Sequence, residues 1–481
     1  MKNKTSHVVF TFILVAIIAS FACFSSSAAT KEGTDGNITW SVDTSTGVLT
    51  ISGDGSMNNY SSGKAPWNTY KTKITSIIIE DGVTSIGNYA FANLTKATSV
   101  EIPDSVTSIG SYSFFYAGVT SITVPDSVTS IGNYAFSQCS SLLTLSIGDG
   151  VTTIPSGLCN FDTALESVTI GESVTTIKNS AFAGCVALTS IEIPDSVTTI
   201  GDSAFSYCTS LATVTIGSGL ESLADFAFEE CTAVTAFTVS SDNTTFTSVK
   251  GVLFSKDKTT LILYPAAKGT SYTIPSTTTT IGYGAFMDAQ LESVTIPDSV
   301  TTIESYAFAY STLVTVEIPD SVTYFGDDEG MVFANCTSLT TAIIGNGITS
   351  IPMSAFEGCT ALSAITFNTT LEEIIDFAFN DCGALENVYY IGTEDEWNEV
   401  TISDADNDDL LAAEVHFICD TEVLKEATCT KSGVLAYTCI DCGYVYSTEE
   451  IPSKTAVNWK AFCEWFVGLW SFIKSLFSWC S

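Results

Sequence analysis

Apolar residues recur along most of this chain at a fixed spacing. Phenylalanine, usually preceded by alanine, returns at a usual step of 23 residues. The repeat positions are Phe91, Phe114, Phe136, Phe182, Phe205, Phe228, Phe286, Phe308, Phe333, Phe356 and Phe379, with Cys159 where one more phenylalanine is expected. Repeats of this length are typical of solenoids, in which a single repeat cannot bury its own apolar face and stacking supplies the core. The pattern therefore predicts a solenoid of stacked rungs.

Polar and apolar positions alternate within each repeat. In one copy the apolar positions are Phe182, Cys185, Leu188, Ile191, Ile193, Val197 and Ile200. The spacing Leu188-x-x-Ile191-x-Ile193 matches the strand signature of leucine-rich repeats. It predicts a short strand with Ile191 and Ile193 facing inward and Glu192 facing outward.

Turn residues follow each predicted strand. "PDSV" begins at Pro103, Pro125, Pro194, Pro297 and Pro319. Proline sets the backbone φ of the turn, and we expect the aspartate and serine to hydrogen-bond their own backbone. A second short extended segment ("VTTI") follows, and "GDSAF" then predicts a single helical or turn-like side of the rung.

Cysteines occupy one position of the repeat. Cys139, Cys185, Cys208, Cys231, Cys336, Cys359 and Cys382 each follow the repeat phenylalanine by three residues. Rungs about 4.8 Å apart would permit disulfides between neighbours. Because the position is interior, we instead expect a ladder of small, buried, free thiols.

Four motifs together resemble the BspA-like leucine-rich-repeat surface proteins, including those with the Treponema-type 23-residue repeat. They are the repeats from about Ile74 to Tyr390, "NITWSVDTSTGVLTISGDGSM" with "APW", the hairpin-like "VKGVLFSKDKTTLILYP", and the terminal unit "VYYIGTEDEWNEVTI". The resemblance implies a curved, exported solenoid that binds other molecules, several members being adhesins for host proteins or other cells.

The chain is divided into five parts on these patterns. Lys2, Lys4, the apolar run from Val8 to Phe24 and the small residues before Ala29 predict a signal peptide over 1–29. An amino-terminal β-hairpin cap (30–73) and a leucine-rich-repeat solenoid of short stacked β-strands (74–418, with a hairpin insertion at about 240–275) follow. A small Cys-containing β module (419–455) and a carboxy-terminal aromatic amphipathic helix (456–481) complete the predicted fold.

The outward strand positions form the candidate binding face. They are Glu101, Thr123, Ser146, Thr169, Glu192, Thr215, Thr238, Thr295, Glu317, Ile343, Thr366 and Tyr389. Solenoids bind extended partners on such surfaces. The alternative is that threonine occupies these positions only because it is favoured at exposed positions of strands, with no role in binding.

Charge restricts the class of partner. The formal net charge is -36 at pH 7. Such a surface repels DNA, RNA and anionic lipid headgroups, so we expect no nucleic-acid partner, and basic partners or cations are favoured. The acids can equally serve to keep an exported protein soluble.

The sequence predicts no enzyme and no cofactor. The chain beyond the predicted signal peptide has one histidine, His416, which lies outside the repeats. A serine–histidine or cysteine–histidine hydrolase within the solenoid therefore lacks its base. "DADNDD" begins like a calcium loop, but Asp409 and Val415 occupy the positions of the required glycine and glutamate.

Four cysteines of the predicted β module suggest two alternatives. Cys419, Cys429, Cys439 and Cys442 include one C-x-x-C pair and could bind Zn²⁺. Two disulfides, or partly free thiols, are favoured instead, because a small exported domain has too little core to be stable without covalent cross-links.

The last residues divide into an aromatic and a polar side when placed on a helix. The aromatic side contains Trp459, Phe462, Trp465, Phe466, Trp470, Phe477 and Trp479. This division predicts an interfacial helix associated peripherally with a membrane rather than a transmembrane span. Self-association or docking on the solenoid fits the same pattern.

Two functions follow from these expectations. The first is an exported, bacterial cell-surface protein that binds host or microbial proteins or glycans through its solenoid face, as an adhesin does. The second is a structural or assembly scaffold of the cell envelope, with the solenoid as a spacer.

Overall fold

The computed structural model describes residues 30–418 and the backbone of three later strands, 420–425, 433–438 and 445–451. The predicted signal peptide, the sulfurs of Cys419, Cys429, Cys439 and Cys442, and the aromatic helix over 456–481 lie outside the described residues.

The predicted leucine-rich-repeat solenoid is confirmed. The chain winds through about 15 turns with almost no helix. Each turn, here called a rung, contributes a first strand of three to six residues to a parallel ladder. The first strands are β3 (Val48–Gly53), β5 (Ser76–Ile79), β7 (Ser99–Glu101), β9 (Ser121–Val124), β11 (Thr144–Ile147), β13 (Ser167–Thr169), β15 (Ser190–Ile193), β17 (Thr213–Ile216), β19 (Ala236–Val239), β23 (Ser271–Thr273), β25 (Ser293–Thr295), β27 (Thr315–Glu317), β29 (Thr341–Ile343), β31 (Ala364–Asn368), β33 (Asn387–Ile391) and β35 (Glu414–Phe417).

A second ladder forms from the "VTTI" segments. These second strands are β4 (Gly55–Ser56), β6 (Val83–Ile86), β8 (Ser108–Ile109), β10 (Ser130–Ile131), β12 (Thr153–Ile154), β14 (Thr176–Ile177), β16 (Thr199–Ile200), β18 (Ser222–Leu223), β22 (Thr260–Leu263), β24 (Thr280–Ile281), β26 (Thr302–Ile303), β28 (Tyr324–Phe325), β30 (Ser350–Ile351), β32 (Glu373–Ile374) and β34 (Thr401–Ile402). Equivalent residues of adjacent repeats pair in both ladders, as Glu192 does with Thr215.

The amino-terminal end begins with antiparallel strands. β1 (Thr30–Asp35) pairs with β2 (Ile38–Asp43), and β2 pairs with β3. β3 then pairs in parallel with β5, which joins this end to the first ladder. A short 3₁₀ helix, Pro66–Tyr70, places Trp67 at the start of the core. The Trp67 ring stacks on Phe91 at a centroid distance of 5.8 Å, and its Nε1 donates to the carbonyl of Ala90.

Stacked aromatic rings occupy the centre of the solenoid. The repeat phenylalanines are buried, and consecutive rings such as Phe308 and Phe333 are almost parallel, with centroids 5.0 Å apart. Cys159 interrupts the stack between Phe136 and Phe182. The same repeat also carries Asp162 where its neighbours have cysteine, so two core positions are altered together.

The cysteine position is a ladder of free, buried thiols, as predicted. Each thiol donates a hydrogen bond to the carbonyl oxygen of the phenylalanine-position residue in the preceding rung. For example, Cys208 Sγ lies 3.3 Å from the oxygen of Phe182, and Cys359 Sγ lies 3.1 Å from that of Phe333. Cysteine thus supplies a small apolar side chain that also satisfies a buried acceptor.

The turn residues bond between rungs rather than to their own backbone, so that expectation was wrong. Asp195 Oδ1 accepts from the backbone N–H of Ser218 at 2.6 Å, one rung later. Ser196 Oγ donates to the carbonyl of Val174 at 2.7 Å, one rung earlier. Rungs stacked in register bring these partners within hydrogen-bond distance, and the Asp195–Ser196 turn therefore ties three rungs together.

The segment between Phe228 and Phe286 contains a hairpin and an additional rung. β20 (Phe246–Val249) and β21 (Val252–Ser255) are antiparallel, and β21 also pairs with β22. β22 then rejoins the second ladder. Tyr264 occupies the phenylalanine position, because its N–H donates to the carbonyl of Ala285 and its ring stacks on Phe286 at 5.1 Å.

The "GDSAF" side of each rung is a turn, not a helix, and its backbone conformation is unusual. Residues two before and two after the repeat phenylalanine take positive φ in most rungs, as at Ser203 (53°) and Tyr207 (58°). Positive φ is unfavourable for residues other than glycine and asparagine. Stacking of the neighbouring rungs compensates for this cost.

The carboxy-terminal end of the solenoid includes two short helices, α1 (Glu394–Trp397) and α2 (Asp408–Ala412). Beyond it, β36 (Asp420–Lys425), β37 (Gly433–Thr438) and β38 (Val445–Ile451) form an antiparallel sheet with β37 in the middle. In the part of the chain described above, no helix has the length and apolar character needed to cross a bilayer.

Candidate binding face

Most of the predicted face residues lie together along the first strands. Parallel pairing aligns Thr123, Ser146 and Thr169 in one sheet, and Glu192, Thr215 and Thr238 in the next. The side chains of Glu101, Thr123, Thr169, Glu192, Thr215, Thr238, Thr295 and Glu317 are exposed, and that of Ser146 is half-buried. The solenoid thus presents one row of hydroxyl and carboxylate groups, one residue per rung.

Two predicted face residues are buried, so their prediction as exposed residues was wrong. Thr366 is 5% exposed and Tyr389 is 7% exposed. The Tyr389 ring stacks on His416 of the next strand, with centroids 5.0 Å apart, and shares an apolar cluster with Ile418. No sequence pattern predicts this contact, because His416 and Ile418 follow the last recognisable repeat.

The structure adds Thr273 to the face. Its strand β23 pairs with β25, which places Thr273 directly beside Thr295. The repeat pattern does not identify Thr273, because the additional rung lacks the Leu-x-x-Ile spacing. The segment "SYTIP" does resemble "SVTIP" at the next rung, and that likeness could have identified it.

Carboxylates follow the edge of the face at the "PDSV" turns and at the equivalent "GDGV" turn, residues 148–151. Asp126 accepts from the N–H of Asp149, and Asp149 accepts from that of Glu172. Hydrogen bonds from Ser218 lower the pKa of Asp195 below its ordinary value. Backbone donors thus stabilise the ionised form, so this edge is negatively charged at neutral pH.

One carboxylate lies inside the core, away from the face. Asp162 Oδ1 accepts from the N–H of Cys139 at 2.7 Å, whereas Oδ2 has no hydrogen-bond partner of ordinary geometry among the described residues. Burial raises the pKa of Asp162 well above its ordinary range, and burial likewise raises the pKa of the Cys159 thiol. Within the described ranges, no group of three or more metal-binding side chains converges.

A comparison with family models matches most of the solenoid. The model of the BspA type leucine rich repeat region, present in six copies, matches residues 69–189, 175–266, 262–386 and 329–401. These ranges together cover well over half of the 481 residues. Among curated proteins, a sequence comparison finds no match.

Solved structures of bacterial repeat proteins are similar to the chain. A leucine-rich repeat protein from Eubacterium ventriosum is 26% identical over 75% of this chain and 84% of its own, with a TM-score of 0.52. A leucine rich cell surface protein from Faecalibacterium prausnitzii is 28% identical over 77% and 97%, with a TM-score of 0.48. The pneumococcal vaccine antigen PcpA is 21% identical over 80% and 98%, with a TM-score of 0.46.

Proposed function

Because the chain belongs to the BspA-type leucine-rich-repeat family, we propose that it is an exported bacterial surface protein that binds extracellular proteins through its solenoid face, as an adhesin does. The observation that carries the proposal is the row of exposed side chains from Glu101 to Glu317, presented one per rung along the first strands. Such a surface suits an extended partner, because hydroxyl and carboxylate groups repeat along its length. A glycan with repeated hydroxyl groups is the second class of ligand that this row suits.

Export is part of the proposal. The basic residues, apolar run and small residues of positions 1–29 form the pattern of a secretory signal. The eight described cysteines are buried free thiols, which an oxidising exterior tolerates because burial keeps oxidants away from them.

A binding role fits the described chemistry better than a catalytic one. The face offers threonine, serine and carboxylate side chains, and the one described histidine, His416, is stacked beneath Tyr389 at the carboxy-terminal end. Its Nε2 contacts Asn387 Oδ1 at 3.0 Å. We therefore assign no catalytic residue.

Binding of the intact chain to immobilised extracellular-matrix proteins and purified glycans tests the proposal. Thr123→Lys, Thr169→Lys and Thr215→Lys together place three bulky cations on the face, and we expect ligand capture to fall about tenfold or more. The matched control carries the same three changes at exposed positions outside the face, Thr163, Thr189 and Thr209. Capture that is equally strong in both variants would move the binding site away from the first strands.

A scaffold role is the alternative, and the composition of the carboxy-terminal segment favours it. Four of the seven tryptophans lie between residues 456 and 481. Fractionation of producing cells should compare the intact protein with a version that ends before Val457. Retention that depends on this segment, with no ligand captured by the truncated protein, would support the scaffold. Flotation of the 456–481 peptide with liposomes then distinguishes membrane association from self-association.

A further inference from the structure

A groove follows the carboxyl ends of the first strands in the second half of the solenoid. Its volume is about 1190 Å³, and it extends from β25 to β33. Three outward positions of the candidate face, Thr295, Glu317 and Ile343, form one of its walls. The groove is therefore continuous with the face described above.

The floor of the groove is apolar, whereas its rim is acidic. The half-buried side chains of Val294, Ile343 and Ile391 supply its accessible apolar surface, and Ile296, Ile318 and Ile344 are buried beneath them. The rim carries the exposed carboxylates of Asp298, Glu317 and Asp320. Asp320 Oδ1 accepts from the N–H of Asn346 at 2.8 Å, which fixes this carboxylate at the turn.

The surrounding sequence contains no compensating positive charge. Residues 269–418 contain 24 aspartates and glutamates and no lysine or arginine. The lysines that most closely precede this stretch, Lys250, Lys256, Lys258 and Lys268, belong to the insertion region. Of these, Lys256 and Lys268 donate to backbone carbonyls there. The groove thus lies in the most uniformly negative part of the described chain.

Apolar floor and acidic rim together match the side chains of lysine and arginine. Their methylene stems cover apolar surface while the charged head reaches polar surroundings. Carboxylates on the rim can then form charge-assisted hydrogen bonds with the heads. A divalent ion fits less well, because no group of three metal-binding side chains converges anywhere in the described residues.

We propose that this groove binds a lysine- or arginine-rich segment of an extracellular protein. The inference rests on the proposed binding function and specifies the chemistry of one partner. The segment lies across β25, β27 and β29, with the stems of its cationic side chains over the apolar surface of Val294 and Ile343 and their heads on Asp298, Glu317 and Asp320. The long-range negative field of residues 269–418 accelerates the encounter.

Binding of a fluorescent oligolysine peptide to the intact protein tests this inference. The variant Asp298→Asn, Glu317→Gln, Asp320→Asn removes the three rim charges, and we expect its affinity to fall about tenfold. The control Asp328→Asn, Glu372→Gln, Asp404→Asn removes the same number and type of charges from exposed positions outside the groove. We expect less than a threefold change for the control, because those charges act only through the screened field.

Comparing the two variants distinguishes binding in the groove from attraction by the overall negative charge of the protein. Equal loss of affinity in both variants, or no loss in either, would overturn the inference. Thermal unfolding of both variants shows whether a loss of binding reflects a loss of folding. Amide and carboxylate side chains are nearly the same size, so neither exposed set should unfold the solenoid.

This test is independent of the test of the proposed function. The Thr123, Thr169 and Thr215 variant alters strands β9, β13 and β17 and leaves the groove intact. Suppose that the variant without the three rim charges captures matrix protein and oligolysine as the parent chain does, while the variant with three lysines on the face loses capture of matrix protein. The groove inference then fails, and the proposed binding function stands. If oligolysine binding depends on the rim but no extracellular ligand is captured by the parent chain, the proposed function fails instead.

Discussion

A single phenylalanine shows how much each rung depends on its neighbours. Phe205 is completely buried, and its ring stacks between Phe182 at 5.4 Å and Phe228 at 5.2 Å. Removing it leaves a cavity bordered by two other rungs, which cannot collapse without breaking both ladders.

We expect Phe205→Ala to lower the free energy of unfolding by about 3–5 kcal/mol. Urea unfolding followed by far-ultraviolet circular dichroism measures it. Tyr207→Ala is the matched control, because Tyr207 lies two residues later in the same turn and is 47% exposed. A loss of similar size in both variants would contradict the assignment of the ring stack as the dominant core.

Asp162 makes the stability of the solenoid dependent on pH. Its folded-state pKa is raised by burial, so the neutral acid is the form that the fold accommodates. The stability that this group contributes is complete below its unfolded-state pKa of about 4 and is lost as the pH rises toward the folded value.

We therefore expect Asp162→Asn to be more stable than the parent chain, with a difference that grows between pH 5 and pH 8. The asparagine oxygen can still accept from the N–H of Cys139, and the amide does not ionise. Asp195→Asn is the contrasting control. The pKa of Asp195 is lowered, so this carboxylate stabilises the fold above its unfolded-state pKa, and that contribution is lost as the pH falls. Parallel pH profiles for the parent chain and Asp162→Asn would show that Asp162 is not a buried acid.

At the scale of the element, each rung combines two favourable strands with one strained turn. The first and second strands pair residue for residue with their neighbours, whereas the intervening turn repeatedly places non-glycine residues at positive φ. In some rungs the residue at positive φ is a tyrosine that stacks on its equivalent in the next rung. The ring centroids are 4.9 Å apart for Tyr89 and Tyr112 and 5.1 Å apart for Tyr112 and Tyr134. Serine at the same position gains no such contact.

Ser203→Gly should therefore stabilise the chain by about 0.5–1 kcal/mol, because glycine adopts φ near 53° without steric cost. Ser203→Val should destabilise it by about 1–2 kcal/mol. Ser210→Gly, at an exposed position without positive φ, is the control and should lose stability through the added freedom of the unfolded chain. Chemical unfolding compares all three, and a stabilising Ser210→Gly would contradict the explanation.

At the scale of the whole molecule, the core consists of two large apolar blocks and the small Tyr389–Ile418 cluster. One contains buried residues from Ile38 to Leu253, and the other contains residues from Val252 to Leu410. The strand β21 lies at the division, since Leu253 belongs to the first block while Val252 and Phe254 belong to the second. Stability in a solenoid is the sum of contributions from rungs and their immediate contacts, so a weak point between blocks can separate their unfolding.

We expect two unfolding transitions in differential scanning calorimetry. Phe205→Ala should shift only the transition of the first block, and Phe308→Ala only that of the second. Both residues are completely buried repeat phenylalanines, so each variant is the control for the other. A single transition shifted by both substitutions would show that β21 couples the blocks into one cooperative unit.

The sequence alone determined the repeat, its strands and the family. Ile191 and Ile193 face inward because side chains alternate along a strand, and Cys208 is buried because its position repeats. These properties depend on the spacing of residues within one repeat, and stacking reproduces the same arrangement in every rung. The outward row from Glu101 to Glu317 follows from the same alternation.

Tertiary structure decided what the repeat cannot encode. Tyr264 enters the ring stack only because β21 and β22 return the chain to the second ladder. Tyr389 is buried because His416, beyond the last recognisable repeat, stacks on it. Asp195 and Ser196 bond to other rungs because stacking brings partners from those rungs within hydrogen-bond distance. The groove beside Glu317 likewise needs several strands side by side, since its acidic rim and apolar floor are each built from residues of several rungs.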